Sequence, residues 1–527
     1  MILGLYDILS IQKYVYSSSR LRDNIGAAII VDKCLNEYME EALNNVGEKY
    51  ENNKKTEEFK AFKDKNIKIE TIYSGGGNSL IYFKTLELYK KLNLELSKIF
   101  IDKAPGVKFA TTYIETDFNG DFGKDIDYLF KKLQLKKYNK KDVNLAKGIS
   151  ITRECKFTKA PATFFKDEEY ISEELFIKRS QTEQSYESKY KELNDLSGKE
   201  GEKFIAVVHI DGNEMGKQLR EYLKNCDSYS QGITRVRKFS NSIQEIYDNA
   251  YEHMKNEIKT KIEKSETEDE RIRQYKNKVE PPFRKIYIKG DDVTFVCYAP
   301  IALKAVEIFL NKVKNDKTLQ IELSACAGIA FVKPTYPFDV AYSIAEQCCS
   351  YAKKVAKTTA KEKDEKVGSY IDFHLAHSNM LRKLSDDRQL KYNIDFLNKQ
   401  SNQEYGRDYN LILRPYKVSE DKNDITNLNT LFIISKWIKK SGIAKSKLKE
   451  LRNAYITNTY KLNQSLIELK GQKKDNKKLD ELYSNLKEIG GNLGEDEDRE
   501  KNQFIDKNLG VCVLYDALEL MDLYVEM

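Results

Sequence analysis

The sequence predicts an α+β fold, with two copies of a β-α-β-β-α-β unit, the ferredoxin-like arrangement, followed by an all-helical region. Three observations predict it. Two apolar runs enclose Lys289-Gly290-Asp291-Asp292 and read as strands joined by a tight, Gly-containing turn. The run Ile72-Tyr73-Ser74-Gly75-Gly76-Gly77-Asn78-Ser79-Leu80 aligns with Ile286-Tyr287-Ile288-Lys289-Gly290-Asp291-Asp292-Val293-Thr294, so the hairpin occurs twice. From about residue 378 onward the apolar residues recur at helical spacing instead, as over 428–440, 446–469 and 509–524.

Each copy opens with an apolar run that ends in aspartate, residues 2–7 closing on Asp7 and residues 204–211 on Asp211. A long helical stretch follows, about 20–46 in the first copy and 235–264 in the second. After the hairpin come a helix (86–100, 301–314) and a closing strand (107–115, 321–332). The Asp-to-turn distances are close, 69 residues from Asp7 to Gly76 and 79 from Asp211 to Gly290. In this topology the first strand and the hairpin share one antiparallel sheet, which places Asp211 beside Asp291 and Asp292. Four segments result: 1–118, 119–202, 203–377 and 378–527. The second is polar and irregular, with short helices expected near 130–134 and 173–179.

The chemistry is expected in the second copy. Three carboxylates, Asp211, Asp291 and Asp292, are hard oxygen ligands suited to Mg²⁺ or Mn²⁺ bridging a nucleotide's phosphates. For Gly-Asp-Asp alone an acidic surface turn is the simpler reading. The first copy changes that balance, because Gly77 and Asn78 stand where Asp291 and Asp292 stand in the second. A hairpin that is not used for chemistry has visibly lost both carboxylates. Its glycines permit close approach of a ligand or of the second copy. His209 shares a strand face with Asp211 and reads as packing, and His374 and His377 lack a metal-ligand pattern, so none is assigned a role.

Composition bounds the rest. At 527 residues and 40% hydrophobic, the chain can bury several cores. Lys+Arg 89 against Asp+Glu 82 leaves +7, which suits phosphate-bearing partners without requiring them. Eight cysteines without a C-x-x-C pair, and four histidines, argue against structural zinc and for reduced thiols. With no signal peptide pattern and no apolar stretch near the length of a membrane span, a soluble, cytoplasmic protein is expected.

The paired arrangement resembles the large subunit of type III CRISPR effector complexes, the Cas-ten family. The resemblance rests on Asp7-Ile8-Leu9-Ser10-Ile11-Gln12-Lys13-Tyr14, Arg20-Leu21-Arg22-Asp23-Asn24-Ile25-Gly26-Ala27-Ala28, Gly75-Gly76-Gly77-Asn78, Asp211-Gly212-Asn213-Glu214-Met215-Gly216-Lys217, Gly290-Asp291-Asp292, Leu323-Ser324-Ala325-Cys326-Ala327-Gly328-Ile329-Ala330, and Tyr351-Ala352-Lys353 within residues 341–357. Together these span roughly residues 1–357, and the tail is more weakly similar to that family's helical domain.

The resemblance implies two palm, or nucleotidyl-cyclase, domains, the first degenerate and the second catalytic, and a chain that converts ATP into a cyclic oligoadenylate-type second messenger in antiviral defence. It implies metal ions at Asp211, Asp291 and the Ile210 carbonyl, with Asp292 completing the shell or orienting the attacking hydroxyl. Lys353 matches the family lysine that contacts the triphosphate, Lys357 assists it, and Ser324 is a candidate base or ribose contact. Lys289, Gly290, Gly75, Gly76, Gly77 and Asn78 complete the expected nucleotide-binding set. Implied partners are nucleoside triphosphates, guide and target RNA, and other effector subunits. Three departures stand out. Lys289 replaces the first glycine of the family's usual Gly-Gly-Asp-Asp, no HD nuclease domain is expected ahead of the first palm strand, and the inter-palm segment around Cys155 reads as a zinc-free remnant. Two rival readings stay open, a catalytically vestigial RNA-binding scaffold and a GTP-using dinucleotide cyclase.

Overall fold

The computed structural model describes residues 1–52, 59–138, 151–184, 193–198, 203–224, 226–265, 269–376, 383–392, 410–421, 423–457, 459–471, 473–493 and 504–526. His377 lies outside them. The first sheet consists of β1 (Ile2–Leu9), β2 (Tyr50–Glu51), β3 (Ile69–Gly75), β4 (Asn78–Phe83) and β5 (Lys108–Glu115), in the order β2-β3-β4-β1-β5. A short hairpin, β6 (Phe164–Lys166) and β7 (Glu169–Ile171), follows. The second sheet contains β8 (Ile205–Gly212), β9 (Phe283–Lys289), β10 (Asp292–Tyr298), β11 (Ala325–Val332), β12 (Ser369–Leu375) and β13 (Tyr416–Val418), ordered β13-β12-β11-β8-β10-β9.

The inner order β3-β4-β1-β5 repeats as β9-β10-β8-β11, with β1 and β8 antiparallel to both neighbours. The repeat holds at the level of single residues. In each hairpin one residue is skipped by the ladder, Ile72 in β3 and Ile286 in β9, each four positions before the turn glycine Gly76 or Gly290. Such a bulge strengthens the local twist and leaves backbone groups free of the ladder.

Several elements differ from the sequence-based expectation. The stretch 20–46 is two helices, Leu21–Cys34 and Glu37–Val46, broken at Leu35-Asn36. The helix expected from residue 235 starts at Tyr229 and runs to Lys264, its N-terminus capped by Ser228, whose Oγ accepts from the Gln231 amide at 3.2 Å. Where a short helix at 130–134 is expected, a 17-residue helix covers Phe122–Tyr138. Its buried Phe122, Ile126, Leu129 and Leu133 lie on one stripe, and its abundant lysines mask that stripe in any reading based on mean polarity. This helix follows β5 as Phe338–Lys363 follows β11, so the repeat has one more shared element than the sequence reveals. Strands β12 and β13 are also unforeseen. β12 is buried along its whole length and pairs parallel to β11, which a period-2 pattern cannot signal.

The C-terminal region is predominantly helical, with helices Leu428–Lys440, Lys445–Thr457, Thr459–Gly471, Lys473–Glu488 and Tyr515–Leu520. It shares one core with the second sheet, in which Phe295, Phe309, Phe373 and Tyr416 join Leu431, Leu451 and Leu518. Ion pairs are buried alongside, Arg388 with Asp372 at 2.7 Å and Arg414 with Glu519 at 2.6 Å.

The two repeats meet tip to tip. Gly76 and Gly290 both have positive φ, and a Cβ on Gly290 would stand 3.3 Å from the Gly76 Cα. The long helix of each repeat grips the other's hairpin. From the Tyr229–Lys264 helix, Arg237 donates to the carbonyls of Thr71 (2.8 Å) and Ile72 (2.7 Å), the groups released by the bulge, and pairs with Glu70 at 2.7 Å. Reciprocally, Asp32 of the Leu21–Cys34 helix accepts from the Lys289 ammonium at 3.1 Å.

Candidate active site

Asp211 ends β8 and is the common neighbour of both hairpin carboxylates. Its carboxylate stands close enough to Asp291 to disfavour ionisation of that acid. Asp291 folds over Gly212, where a Cβ would come within 2.7 Å of Asp291 Oδ2, so only glycine leaves room for the acid there. Asp292 leaves the turn in the opposite sense and lines a cleft of about 590 Å³ between the two repeats. Adjacent residues of an extended chain point to opposite faces, which is why the pair diverges. Among the described residues no three His, Cys, Asp or Glu side chains stand close enough together to hold a metal ion as they are. The ready-made three-carboxylate cage expected from the sequence is therefore absent, because the hairpin acids diverge and Asp211 is already held by a lysine.

That lysine is Lys353. Its Nζ lies 2.5 Å from Asp211 Oδ2 and 2.6 Å from the Gly212 carbonyl oxygen. Burial opposes its charge, but Asp211, with smaller help from Cys349 and Asp291, holds the ammonium above its ordinary pKa. Burial, then Asp211, raises the Asp291 carboxyl, and burial, then Asp211 and Asp291, raises Asp292 well above the carboxylate range. Asp292 Oδ1 is buried without a hydrogen-bond partner, and the nearest ring nitrogen, His209 Nδ1, is 3.5 Å away. Burial pushes His209 down to about 4, so at neutral pH it brings no charge to Asp292. Its ring packs edge-on to Tyr342. A cluster of hard carboxylate oxygens with one orphaned, strained toward protonation, has the donor chemistry that Mg²⁺ or Mn²⁺ satisfies. The donor set fits such an ion.

The other expected site residues divide into those near this cluster and those elsewhere. Ile210 is registered against Val293 on one side and Ala327 on the other, so its main chain lies within the ladder. Gly290 stands at the tip, and its amide donates to Gln244 Oε1 at 2.7 Å. Ser324 donates to the Val367 carbonyl at 2.6 Å and accepts from Asn213 at 3.0 Å, a structural setting beside the β8 terminus. Lys357 is exposed one turn beyond Lys353. Lys289 is buried with its ammonium committed to Asp32, so the cation expected beside a triphosphate instead fastens the seam between repeats. Gly75 packs against Ser240, Gly76 meets Gly290, Gly77 packs on Ile11, and Asn78 pairs with Asp7. The glycines serve the approach of the second repeat.

Four residues that sequence reasoning did not single out complete the picture. Gln12 and Tyr16 of the first repeat line the cleft together with Asp292, and Tyr16 stacks on Tyr342 across the seam at 3.5 Å between centroids. Lys137 pairs with Asp7 at 2.6 Å, mirroring Lys353 and Asp211. Each lysine lies fifteen residues beyond the first residue of its helix, from Phe122 to Lys137 and from Phe338 to Lys353. That spacing was available in the sequence once the helices were aligned. The first repeat carries the same Asp–Lys pair, with Gly77 and Asn78 in place of the hairpin acids.

Two results are expected of this cluster. Lys353→Met leaves Asp211 unpaired beside two acids and is expected to cost about 1–3 kcal/mol, read by chemical denaturation. Asp292→Asn acts in the opposite direction. An acid raised in the fold favours the protonated protein, a contribution present below the unfolded pKa and lost as pH rises through the folded one. Asn removes the penalty paid above that range, so the variant melts a few degrees higher than the parent at pH 8 and at the same temperature near pH 4, a difference on the order of 1–2 kcal/mol. Equal melting shifts at both pH values would contradict it.

Residues 204–365 match the family model for Cas10/Cmr2, second palm domain. No curated protein matches the chain. Similar solved structures include a Csm1–Csm4 cassette in complex with cA4 (15% identity, TM-score 0.48, covering 100% of this chain and 70% of that one). Others are the cassette with one ATP (14%, 0.49, 99% and 70%) and the Csm1–Csm4 subcomplex of the type III-A CRISPR-Csm interference complex (14%, 0.47, 99% and 70%). The part of the chain that carries Asp211, Asp291, Asp292 and Lys353 is a Cas10/Cmr2 second palm domain.

Proposed function

We propose that this chain is a metal-dependent nucleotidyltransferase that joins ATP into a cyclic oligoadenylate-type second messenger, acting with guide and target RNA and other subunits of a type III CRISPR effector. The observation that carries the reading is the asymmetry of the paired repeats. Both keep the Asp–Lys pair, and only the Cas10/Cmr2 palm keeps two hairpin carboxylates beside it. A scaffold without chemistry has no use for acids whose ionisation the fold opposes, since buried like charges cost stability.

In this reading a ribose hydroxyl of one nucleotide attacks the α-phosphorus of another, the new P–O bond forms as the bond to pyrophosphate breaks, and the hydroxyl proton leaves to solvent. Asp211, Asp291 and Asp292 would hold Mg²⁺ or Mn²⁺, which when bound activates the attacking oxygen and neutralises the departing phosphates. Lys353 exchanges Asp211 for the triphosphate. The stacked Tyr16 and Tyr342 line the cleft beside Asp292, and the buried, neutral His209 packs against Tyr342. Gln12 lines the cleft beside Asp292 from the first repeat, so both repeats build one site. The test is incubation of the purified chain with Mg²⁺ or Mn²⁺ and each labelled NTP, with and without RNA and effector subunits, and chromatography of the products. Adenylate oligomers formed from ATP support the reading, GTP-derived dinucleotides the rival cyclase, and no product under any condition the scaffold.

A further inference from the structure

The helix Tyr229–Lys264 carries Arg237, Ser240, Gln244 and Asp248 at the i, i+3, i+7, i+11 spacing of a single face. That stripe passes both hairpins in turn. Arg237 donates to the bulge of the first, and Ser240 Oγ stands 2.6 Å from where a Cβ on Gly75 would lie. One turn further on, Gln244 Oε1 accepts from the Gly290 amide at 2.7 Å, and Gln244 Nε2 donates to Asp248 Oδ2 at 2.9 Å. The second bond secures the first. With its nitrogen committed to Asp248, the side-chain amide presents its oxygen, the acceptor, to the hairpin.

Gly290 needs that acceptor. The ladder of the second hairpin closes at Asp292 opposite Lys289, so the Gly290 N–H lies beyond it, and the residue is buried in the seam. A buried amide without a partner is rarely tolerated. The corresponding Gly76 is exposed, where water can serve. The turn that carries the acids is thus tethered at the residue directly before Asp291. Little else can hold it there, since Gly290 has positive φ, no side chain and only the bare Gly76 opposite.

We propose that Gln244 is a positioning residue for the candidate site, acting through the Gly290 amide to hold Asp291 and Asp292 where they can ligate Mg²⁺ or Mn²⁺, with Asp248 orienting it. The inference rests on the nucleotidyl-transfer reading and names what keeps its ligands in place. Arg237 and Gln244 lie about 10 Å apart along one helix axis, so a single rigid element sets both hairpin tips.

The test compares the full chain with Gln244→Met, close in size but without an acceptor, and with Gln244→Glu/Asp248→Asn, which keeps an acceptor for Gly290 and moves the amide donor to position 248. Three quantities are measured: hydrogen exchange of the metal-free protein over residues 286–294 by mass spectrometry, Mn²⁺ affinity from the EPR signal of the free ion, and kcat and KM for labelled ATP with RNA and effector subunits. Asp291→Ala/Asp292→Ala is the blank for Mn²⁺ bound elsewhere. Gln244→Met is expected to exchange faster over 286–294 and to lose about 10–100-fold in Mn²⁺ affinity and in kcat, with KM changed less than about threefold, the size usual for a group that orients a metal ligand. The exchanged pair is expected to recover most of each loss. Packing alone predicts that the similarly sized Met changes none of these. A parent protein that binds no Mn²⁺ above the blank overturns the transfer reading and this inference with it. If the parent binds Mn²⁺ and Gln244→Met matches it in exchange and affinity, or the exchanged pair recovers nothing, the inference alone fails.

Discussion

Asp291→Ala/Asp292→Ala is expected to lower transfer by at least about 10³-fold while leaving the protein folded and, above neutral pH, slightly more stable than the parent. The combination of effects is diagnostic. Residues kept for packing lose stability when truncated, whereas these acids are raised by burial and then by Asp211, so the fold works against their charge. Removing them relieves that opposition and removes the only hairpin carboxylates in the paired repeat. The control is already present in the molecule, since Gly77 and Asn78 hold the same turn in the first sheet without acids. Product chromatography from labelled ATP and a melting series between pH 4 and pH 8 measure both arms. Transfer that persists in the double variant would place the chemistry outside the hairpin.

Arg237→Ala is expected to cost about 3–5 kcal/mol, because it leaves Glu70 buried and unpaired together with the two bulge carbonyls. Among the described residues Glu70 then keeps only the amides of Lys60 and Ala61. Replacing both partners by apolar residues of similar shape recovers much of the loss, since the larger part of the penalty is the stranded charge rather than the lost attraction. Denaturant titration of the single and double variants gives the coupling. The same substitution is expected to reduce transfer, because Arg237 and Ser240 seat the first hairpin whose Gly76 abuts Gly290, and a shift at that contact moves the Asp291 turn. A double variant as unstable as the single one would show that Arg237 acts by packing alone.

The seam also explains why Lys289 can stand where a second glycine was expected. Glycine is required at Gly290, where φ is positive and the opposing tip is 3.3 Å from a would-be Cβ. At position 289 the chain is still in β9, paired with Asp292, where any L-residue fits. The side chain there points to the neighbouring repeat and finds Asp32, which only the assembled pair supplies.

Local pattern made much of this legible. The hairpin, the strand ending in aspartate and their repetition fixed the sheet order around Asp211, because a β-α-β-β-α-β chain has few ways to close one antiparallel sheet. The presence of Gly77 and Asn78 where the second copy has Asp291 and Asp292 is what directs the proposed chemistry to the second copy. Mean polarity hid the Phe122–Tyr138 helix, and so hid Lys137. β12 went unseen because a buried parallel strand carries no alternation, and β13 because three residues carry no period at all.

By itself, then, the sequence determined which residues are the candidates for the chemistry and on which elements they stand, since turn chemistry and hydrophobic period act over a few neighbours. Only the tertiary structure decided how they are used: that Lys353 holds Asp211, that Asp291 and Asp292 part to opposite sides, and that Gln12 and Tyr16 reach in from the first repeat. Those contacts join residues from about 140 to 330 positions apart, and their strength comes from burial and from charges brought together in low dielectric, quantities that no stretch of chain possesses before it packs.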